Sequence, residues 1–289
     1  MENKKNRIID FHVHPTCKEF WIDTVGPYAP AIQKSVKIKR LFIRSEEEMV
    51  RVYQDLNMMA VLVAWDAETA TGLPSLSNDW IAGLVKRHPD TFIGFASIDP
   101  WKGKMAIDEL ERAVKDLGLK GVKFQQGAQA FYPNDKRFYP LWEKCLELNI
   151  PVQFHTGTTG LGEGLAGGQG IKLDYMKPIP YIDEVAADFP DLKIVCLHPS
   201  WPWQEETLAM AKHKGNVYVD LSGHLPSRFP DSLKEAIGTY LRKKAIFSTD
   251  FPAVEPAKWL ADFEGLGLSE DVKEDILIKN SRRLLEMND

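Results

Sequence analysis

The chain has 289 residues and a formal net charge of −5 at pH 7, with 44% hydrophobic and 27% charged residues. This composition is that of an ordinary globular protein, so it argues against a wholly disordered chain and gives no reason to expect nucleic-acid binding. The cysteines Cys17, Cys145 and Cys196 imply no disulfide framework, and no apolar run is long enough to cross a bilayer. We therefore expect a cytoplasmic protein without nucleic-acid or membrane partners.

Short apolar runs typical of strands alternate with helical patterns along the whole chain. In chain order these runs are RIIDFHV, MMAVLVAW, TFIGFASI, LKGVKF, IPVQFH, LKIVCLH, NVYVDLS and AIFSTD. Helical patterns follow each of them, for example one that Ser45 caps and one that ends near Gly118. Eight such units predict an α/β fold, a (β/α)8 TIM barrel with an extra C-terminal helix. The alternative is an open doubly wound sheet, but the first strand-to-helix turn lacks a glycine-rich phosphate loop.

Two segments interrupt the alternation. Residues Thr16 to Arg44 form a long insertion after the first strand, and the glycine-rich segment Thr156 to Gly170 follows the fifth. In a barrel both would leave from the end that carries the active site, so we predict that they form a lid over the substrate. Because no repeat, linker or low-complexity tail is seen, we predict a single domain over residues 1–289.

The first strand carries polar side chains at regular spacing. Alternation predicts two faces, with Ile9, Phe11 and Val13 on one and Asp10, His12 and His14 on the other. Further on, His155 ends the fifth predicted strand, His198 the sixth and Asp250 the eighth. Because the carboxyl ends of barrel strands meet at one mouth, we expect these polar side chains to lie close together.

This set of residues predicts a metal site. His12 and His14 can lean over one ion from the same strand, and His155 and Asp250 would complete four protein ligands. Such an ion lowers the pKa of bound water from about 15.7 towards 7. His198 could then move a proton or polarise a carbonyl, and Asp250 could accept a proton as well as bind the ion. Each residue alone fits a structural role, whereas their coincidence favours function.

Other polar residues at strand ends have simpler interpretations. Asp66 and Asp99 are interpreted as structural, because Asp99 precedes a proline in a turn. Cys196 is expected to fill a small apolar space, and His224 is left open between a substrate contact and an exposed loop residue.

On these motifs the chain resembles the amidohydrolase superfamily, in the branch that includes amino-carboxymuconate-semialdehyde decarboxylase and aromatic-acid decarboxylases and hydrolases. The matching stretches run through nearly the whole chain and include IIDFHVHP, GFASIDP, GLKGVKF, IPVQFHTGTTG, LKIVCLHPSWPW, NVYVDLSG and IFSTDFP. The resemblance implies one divalent metal, with zinc expected and manganese, iron or magnesium as alternatives. It assigns the metal to His12, His14, His155 and Asp250, and an acid/base role to His198.

The fourth predicted strand departs from the metal-dependent hydrolases that the chain resembles most. Those enzymes commonly carry a histidine where KFQQG has Gln125, so their substrate does not transfer. Alternation places Lys123 on the same face as Gln125, and both are candidate substrate-binding residues. Members of the superfamily with two metals carboxylate a lysine on this strand, but we expect one ion and a Lys123 that anchors substrate or serves the structure.

Two enzymatic hypotheses and one non-enzymatic hypothesis follow. The main one is a metal-dependent hydrolase, in which metal-activated water attacks a carbonyl carbon of a small organic substrate with help from His198. The alternative is a non-oxidative decarboxylase of an aromatic or unsaturated acid, which needs a cationic clamp from Lys123, Arg44 or the basic residues 37–40. The third hypothesis is a barrel that only binds partners. It predicts that some of the candidate metal ligands have been lost, and the sequence shows no such loss.

The substrate itself is predicted to be a small molecule, enclosed by aromatic walls. The candidate wall residues are Trp21, Tyr28, Phe131, Trp201 and Trp203. The resemblance is also compatible with a homodimer, although no interface can be recognised in the sequence.

Overall fold

The structure is a computed structural model that describes residues 7–36 and 42–287. Its strands are β1 (Ile9–Val13), β2 (Met59–Leu62), β3 (Phe92–Gly94), β4 (Ala96–Ser97), β5 (Val122–Phe124), β6 (Val152–His155), β7 (Ile194–Leu197), β8 (Val217–Asp220) and β9 (Ala245–Ile246). Its α-helices are α1 (Ala29–Ser35), α2 (Glu46–Asp55), α3 (Glu68–Thr71), α4 (Asn78–Arg87), α5 (Lys104–Lys115), α6 (Gln126–Gln129), α7 (Tyr139–Glu147), α8 (Tyr181–Asp188), α9 (Gln204–His213), α10 (Asp231–Gly238), α11 (Pro256–Glu264), α12 (Glu270–Glu274) and α13 (Asn280–Leu284).

The strands form a closed parallel barrel, as the alternating pattern predicts. The third predicted strand is divided into β3 and β4 at Phe95, whose N–H donates to the carbonyl of Leu62 at 3.0 Å. The last strand returns to the first, because the N–H of Phe11 donates to Phe247 O at 3.1 Å and the N–H of Asp250 to His12 O at 3.0 Å. The barrel prediction is therefore confirmed, and the open doubly wound sheet is excluded.

Apolar side chains fill two clusters, one inside the barrel and one between the strands and the helices. Ile9 and Phe11 belong to the inner cluster, whereas Val13 belongs to the outer one. The pairing of β1 with β2 shifts register between Asp10 and Val13. The strict alternation predicted for β1 is therefore wrong, because this irregularity turns the end of the strand and re-aims its side chains.

The register shift separates Asp10 from the two histidines. The carboxylate of Asp10 accepts hydrogen bonds from Tyr53 Oη of α2 at 3.2 Å and from Thr249 Oγ1 at 2.6 Å. It thus ties the first strand to a helix and to the segment after β9. The prediction that Asp10 shares a face with His12 and His14 is corrected accordingly.

The helices begin where their sequence signals predict. Ser45 caps α2 in a capping box, in which the N–H of Glu48 donates to Ser45 Oγ and the N–H of Ser45 donates to the Glu48 carboxylate. The insertion after β1 is partly helical, with a π-helical turn at Glu19–Thr24, a 3-10 turn at Gly26–Tyr28, and α1. No helix of the described residues is both long and apolar enough to span a membrane.

Candidate metal centre and active site

The carboxyl ends of four strands bring the candidate ligands together. His12 and His14 lie at the end of β1, His155 is the last residue of β6, and His198 and Asp250 follow β7 and β9. The first three are buried, with exposed fractions of 0%, 8% and 6%. His198 and Asp250 have φ angles of 68° and 61°, in the left-handed region that non-glycine residues rarely adopt. Such strained backbone is concentrated at functional sites.

His12 in β1 and His14 just after it both direct their Nε2 atoms towards the same point. His12 Nε2 and His14 Nε2 are 3.3 Å apart, and they lie 3.6 Å and 3.3 Å from Asp250 Oδ1. The other nitrogen of His14, Nδ1, is 2.9 Å from the carbonyl oxygen of Val63. A carbonyl can only accept, so Nδ1 carries the proton and a neutral His14 leaves the lone pair on Nε2.

A second series of hydrogen bonds determines which ring nitrogen of His12 carries the proton. His155 Nε2 is 3.0 Å from the carbonyl oxygen of Thr158, so it donates there and leaves Nδ1 as an acceptor. His198 Nε2 faces that Nδ1 at 3.2 Å and donates to it. His198 Nδ1 then accepts from Ser222 Oγ at 2.9 Å, and the same oxygen accepts from His12 Nδ1 at 3.2 Å. His12 Nε2 is therefore also a bare lone pair.

The donor set fits a divalent cation. Two lone pairs and a carboxylate oxygen converge, and nothing in the protein supplies them with a hydrogen-bond donor among the described residues. One ligand atom from each of His12, His198 and Asp250 also lies within 4.8 Å of the other two. Because imidazole nitrogen and carboxylate oxygen are ordinary ligands of zinc and manganese, the arrangement suits such an ion.

His155 stands beside this centre, and both of its nitrogens are engaged. In addition to the contacts with Thr158 and His198, its Nδ1 is 3.2 Å from Gln125 Nε2. Ligation of a metal by His155 would require the ring to give up one of these contacts. Its role as a ligand stays a prediction.

The electrostatics of the site favour neutral imidazoles. Burial, together with the neighbouring histidines, lowers the pKa of His12 and of His198 well below the usual range. Burial and the charge of Lys123 lower the pKa of His155 to about 3. Burial alone would raise the pKa of Asp250. Its contact with His14 and the neighbouring His198 and Lys123 have the larger, opposite effect, so the pKa lies below its usual value. Neutral imidazoles and an ionised carboxylate are the forms that bind metals.

A cavity of about 340 Å³ opens next to these side chains. The predicted residues His14, His155, His198 and Asp250 line it, together with the predicted substrate residues Lys123, Gln125, Trp21 and Trp201. Lys123 is 1% exposed, and its Nζ lies 4.5 Å from the centre of the Trp65 ring. Burial lowers the pKa of this lysine to about 7.

Several predicted substrate contacts lie elsewhere. Phe131 is 1% exposed and packs against Phe124 and Phe138 in the outer core, which corrects its interpretation as a cavity wall. Trp203 is the N-cap residue of α9, and neither it nor Tyr28 is among the described residues that line the cavity. The ring of Tyr28 packs against the outer core.

Arg44, one of the alternative cationic clamps, is not among the residues that line the cavity. Arg44 forms an ion pair with Glu255, and its guanidinium lies 4.9 Å from the centre of the Phe251 ring. The basic residues 37–40 lie outside the described part of the chain. Among the described residues, Lys123 is thus the predicted clamp that lines the cavity.

The sequence analysis gave no role to Trp65 or Ser222 and left His224 open. Trp65 lines the cavity from the segment after β2, and His224 lines it from the segment after β8. Ser222 is fully buried between His12 and His198. Ser222 is a polar residue at a strand end, so the rule that identified the histidines also selects it, whereas the aromatic Trp65 falls outside that rule.

The insertion and the glycine-rich segment meet at the mouth. Ser35 of α1 donates a hydrogen bond to the carboxylate of Glu163, and both residues line the cavity. This contact places the two segments where a lid would lie. Their movement stays a prediction.

Comparisons with known proteins agree with this description. The chain is 24% identical over 295 residues to a gamma-resorcylate decarboxylase of Polaromonas sp. strain JS666, with 88% of each chain covered. Among solved structures, an uncharacterized TIM-barrel protein of Bordetella bronchiseptica superposes with a TM-score of 0.78 at 26% identity, over 97% of this chain and 98% of the other. A dihydroxybenzoic acid decarboxylase of Polaromonas sp. JS666, solved with manganese and 2-nitroresorcinol, gives a TM-score of 0.68 at 22% identity, with 98% of both chains covered.

The match to a protein family extends over almost all described residues. The family model for amidohydrolases covers residues 9–287, from the first residue of β1 to the segment after α13. It therefore includes every candidate ligand and the whole cavity. The chain belongs to the amidohydrolase family.

Proposed function

We propose that this chain catalyses the non-oxidative decarboxylation of a small aromatic carboxylic acid with the help of one bound divalent cation. The name of the relative that aligns over most of both chains supports this alternative better than the main prediction, hydrolysis. The proposal keeps the predicted metal site and changes the reaction.

The observation that carries the proposal is the position of Lys123. Its ammonium group is buried in the cavity wall, and it has no ion-pair or hydrogen-bond partner among the described residues. A buried charge without a partner is costly, and an anionic ligand removes that cost. A substrate carboxylate, or an acidic ring oxygen next to it, would supply the missing anion.

The cavity has the size and walls for one aromatic ring. Its volume of about 340 Å³ is near the lower end of the range of about 300 to 1,000 Å³ for ligand pockets. The side chains of Trp21, Phe42, Trp65 and Trp201 provide flat apolar surface. A single-ring acid fits these dimensions better than a bulky acyl thioester.

The metal would be held by His12, His14 and Asp250, with His155 as the further predicted ligand. When bound there, a divalent cation would supply positive charge that orients the acid and draws electron density from it. Zinc is the ion expected from the sequence, and manganese is the ion present in the decarboxylase structure described above. The metal-free donor set suits either.

The chain's own residues account for the proton. Decarboxylation adds one proton to the ring carbon that bears the carboxylate, after which the C–C bond breaks, its electrons return to the ring, and carbon dioxide leaves. His198 lines the cavity with Nε2–H directed into the cluster, so it is the candidate donor. Burial lowers the pKa of His198 well below its usual value, and a substrate anion beside the ring would favour the protonated form.

A product assay tests the proposal. Protein reconstituted with Mn²⁺ or Zn²⁺ is incubated with hydroxybenzoates, including 2,6-dihydroxybenzoate, and separately with esters, lactones and β-ketoacyl thioesters in ¹⁸O-water. We expect release of carbon dioxide with formation of the corresponding phenol. Incorporation of ¹⁸O into a hydrolysis product, without carbon dioxide from any acid, would establish the hydrolase instead.

A further inference from the structure

We infer that Ser222 is a positioning residue that holds His12 and His198 in opposite tautomers. The inference deepens the proposed function, because it concerns the same site, and it rests on that proposal only for its activity readout. Ser222 lies just after β8 and is fully buried.

The hydroxyl of Ser222 bridges two imidazoles. Its Oγ is 3.2 Å from His12 Nδ1 and 2.9 Å from His198 Nδ1. A hydroxyl has one proton to donate, so it can donate to only one of these nitrogens, although it can accept from both. The two rings therefore cannot both lack a proton on Nδ1.

The carbonyl of Thr158 decides which assignment holds. It accepts from His155 Nε2, so His155 Nδ1 carries a lone pair, which Gln125 Nε2 also faces at 3.2 Å. If His198 carried its proton on Nδ1, its Nε2 would oppose that lone pair with another at 3.2 Å. The proton of His198 is therefore on Nε2, Ser222 donates to His198 Nδ1, and His12 donates to Ser222 from Nδ1.

The segment around Ser222 is shaped for this contact. Asp220 Oδ1 accepts hydrogen bonds from the backbone N–H groups of both Ser222 and His198, at 2.9 Å and 3.2 Å. Gly223 has a φ of +77°, and a Cβ at this position would lie 2.9 Å from His198 Nδ1. One carboxylate thus fixes both backbones, and the glycine leaves room for the imidazole ring.

Two consequences follow from the tautomers. The lone pair of His12 faces the metal centre, so His12 needs no proton rearrangement to bind an ion. The N–H of His198 is directed at His155 Nδ1, and the His198 side chain itself lines the cavity. Partners that orient a metal-ligating histidine typically change metal affinity or activity by about 10- to 100-fold when they are removed.

The first experiment uses the unaltered protein without metal. Nitrogen-15 chemical shifts of the imidazole rings distinguish a protonated from an unprotonated ring nitrogen. We expect His12 to carry its proton on Nδ1 and His198 on Nε2. The reverse pattern, or an equal mixture of tautomers in either ring, would overturn the inference without any variant having to fold.

The second experiment compares Ser222→Ala with Ser97→Ala. Ser97 is a buried strand residue, 4% exposed, whose Oγ has no hydrogen-bond partner among the described residues, so it is a matched control. We expect Ser222→Ala to lose the fixed tautomers in the metal-free spectrum and to bind the metal about 10- to 100-fold more weakly. With saturating metal, kcat should fall while KM stays within about twofold.

The outcomes separate this inference from the proposed function. If Ser222→Ala keeps the native ring spectrum and the metal affinity of Ser97→Ala, Ser222 has no positioning role. If the tautomers and the metal affinity change as expected but no acid is decarboxylated by the native protein, only the proposed reaction is wrong.

Discussion

His12 Nε2 and His14 Nε2 face each other at 3.3 Å, although the Nδ1 of each ring already has a partner. Two ring nitrogens so placed would repel each other through their lone pairs. Asp250 adds a carboxylate oxygen 3.3 Å from His14 Nε2. The arrangement is stable when a cation or a proton lies among the three atoms, and this requirement leads to the first prediction.

Replacement of His14 by alanine should remove the metal. The change deletes one lone pair of the converging set and leaves His12 and Asp250 as the nearest ligands. We expect the metal content after dialysis to fall from about one equivalent to well below it, as measured by elemental analysis. His213→Ala, at the exposed end of α9, is the control and should keep the ion. Equal metal content in both variants would exclude the centre described above.

His155 and His198 should differ in the same measurement. We expect His155→Ala to lose metal and His198→Ala to retain it, while kcat of the latter falls by about 10²- to 10⁴-fold through loss of the proton donor. The two rings contact each other at 3.2 Å, so each substitution also removes a contact of the other ring. Circular dichroism therefore checks that both variants fold. Full metal retention in His155→Ala would assign this residue to the positioning of His198 instead of ligation.

The barrel could be predicted from the sequence because its signals are local and repeated. Each apolar run and each helix start, such as the capping box at Ser45, is encoded within a few residues. The register shift in β1 could not be predicted in this way, because it appears only in the pairing of β1 with β2, and Tyr53 and Thr249, the partners of Asp10, are distant in the chain. Alternation alone therefore put Asp10 on the wrong face.

The residues of the candidate site that lie at strand ends could be predicted from the sequence. The rule placed Lys123, Gln125 and His198 near one another, and all three line the cavity. It gave no means of choosing among aromatic residues in the connecting segments. Phe131 was wrongly taken as a wall, because a phenylalanine in a loop packs into the core as readily as into a pocket.

The activity should depend on the protonation of Lys123. Burial lowers the pKa of its ammonium to about 7, and only the charged form attracts a carboxylate. We therefore expect kcat/KM for the acid to fall as the pH rises through about 7, because kcat/KM reports the free enzyme. In Lys123→Met this limb should disappear and KM should rise at pH 6. A pH profile of the variant that parallels the native one would exclude the lysine as the anchor.

The stability of the metal-free protein should also depend on the protonation of Lys123. Whereas activity falls as the pH rises, the free energy of unfolding should increase. The pKa of this lysine is lower in the folded than in the unfolded chain, where it is near 10.5, so the unfolded chain binds more protons between about pH 7 and 10.5. The contribution of Lys123 to the free energy of unfolding therefore rises with pH across this range. Urea denaturation of native protein and Lys123→Met at several pH values measures it, and an unchanged difference between the two would contradict the shift.

The glycine-rich segment should tolerate alanine at one glycine and not at another. Gly162 has a φ of +71°, and a Cβ there would lie 2.0 Å from the carbonyl oxygen of Gly168. Gly164 has a φ of +73°, but nothing lies within 4 Å of its Cβ position. Both alanine variants bear the cost of a left-handed backbone, so the comparison isolates the clash.

We expect Gly162→Ala to displace the segment that carries Glu163 and lines the cavity. Because small displacements of groups that position a substrate reduce the rate strongly, kcat/KM should fall on the order of 10- to 100-fold relative to Gly164→Ala. Steady-state kinetics of both variants, with metal content held equal, give the ratio. If the two variants have the same kcat/KM, the conformation of this segment has no part in enclosing the substrate, and the lid hypothesis loses its support.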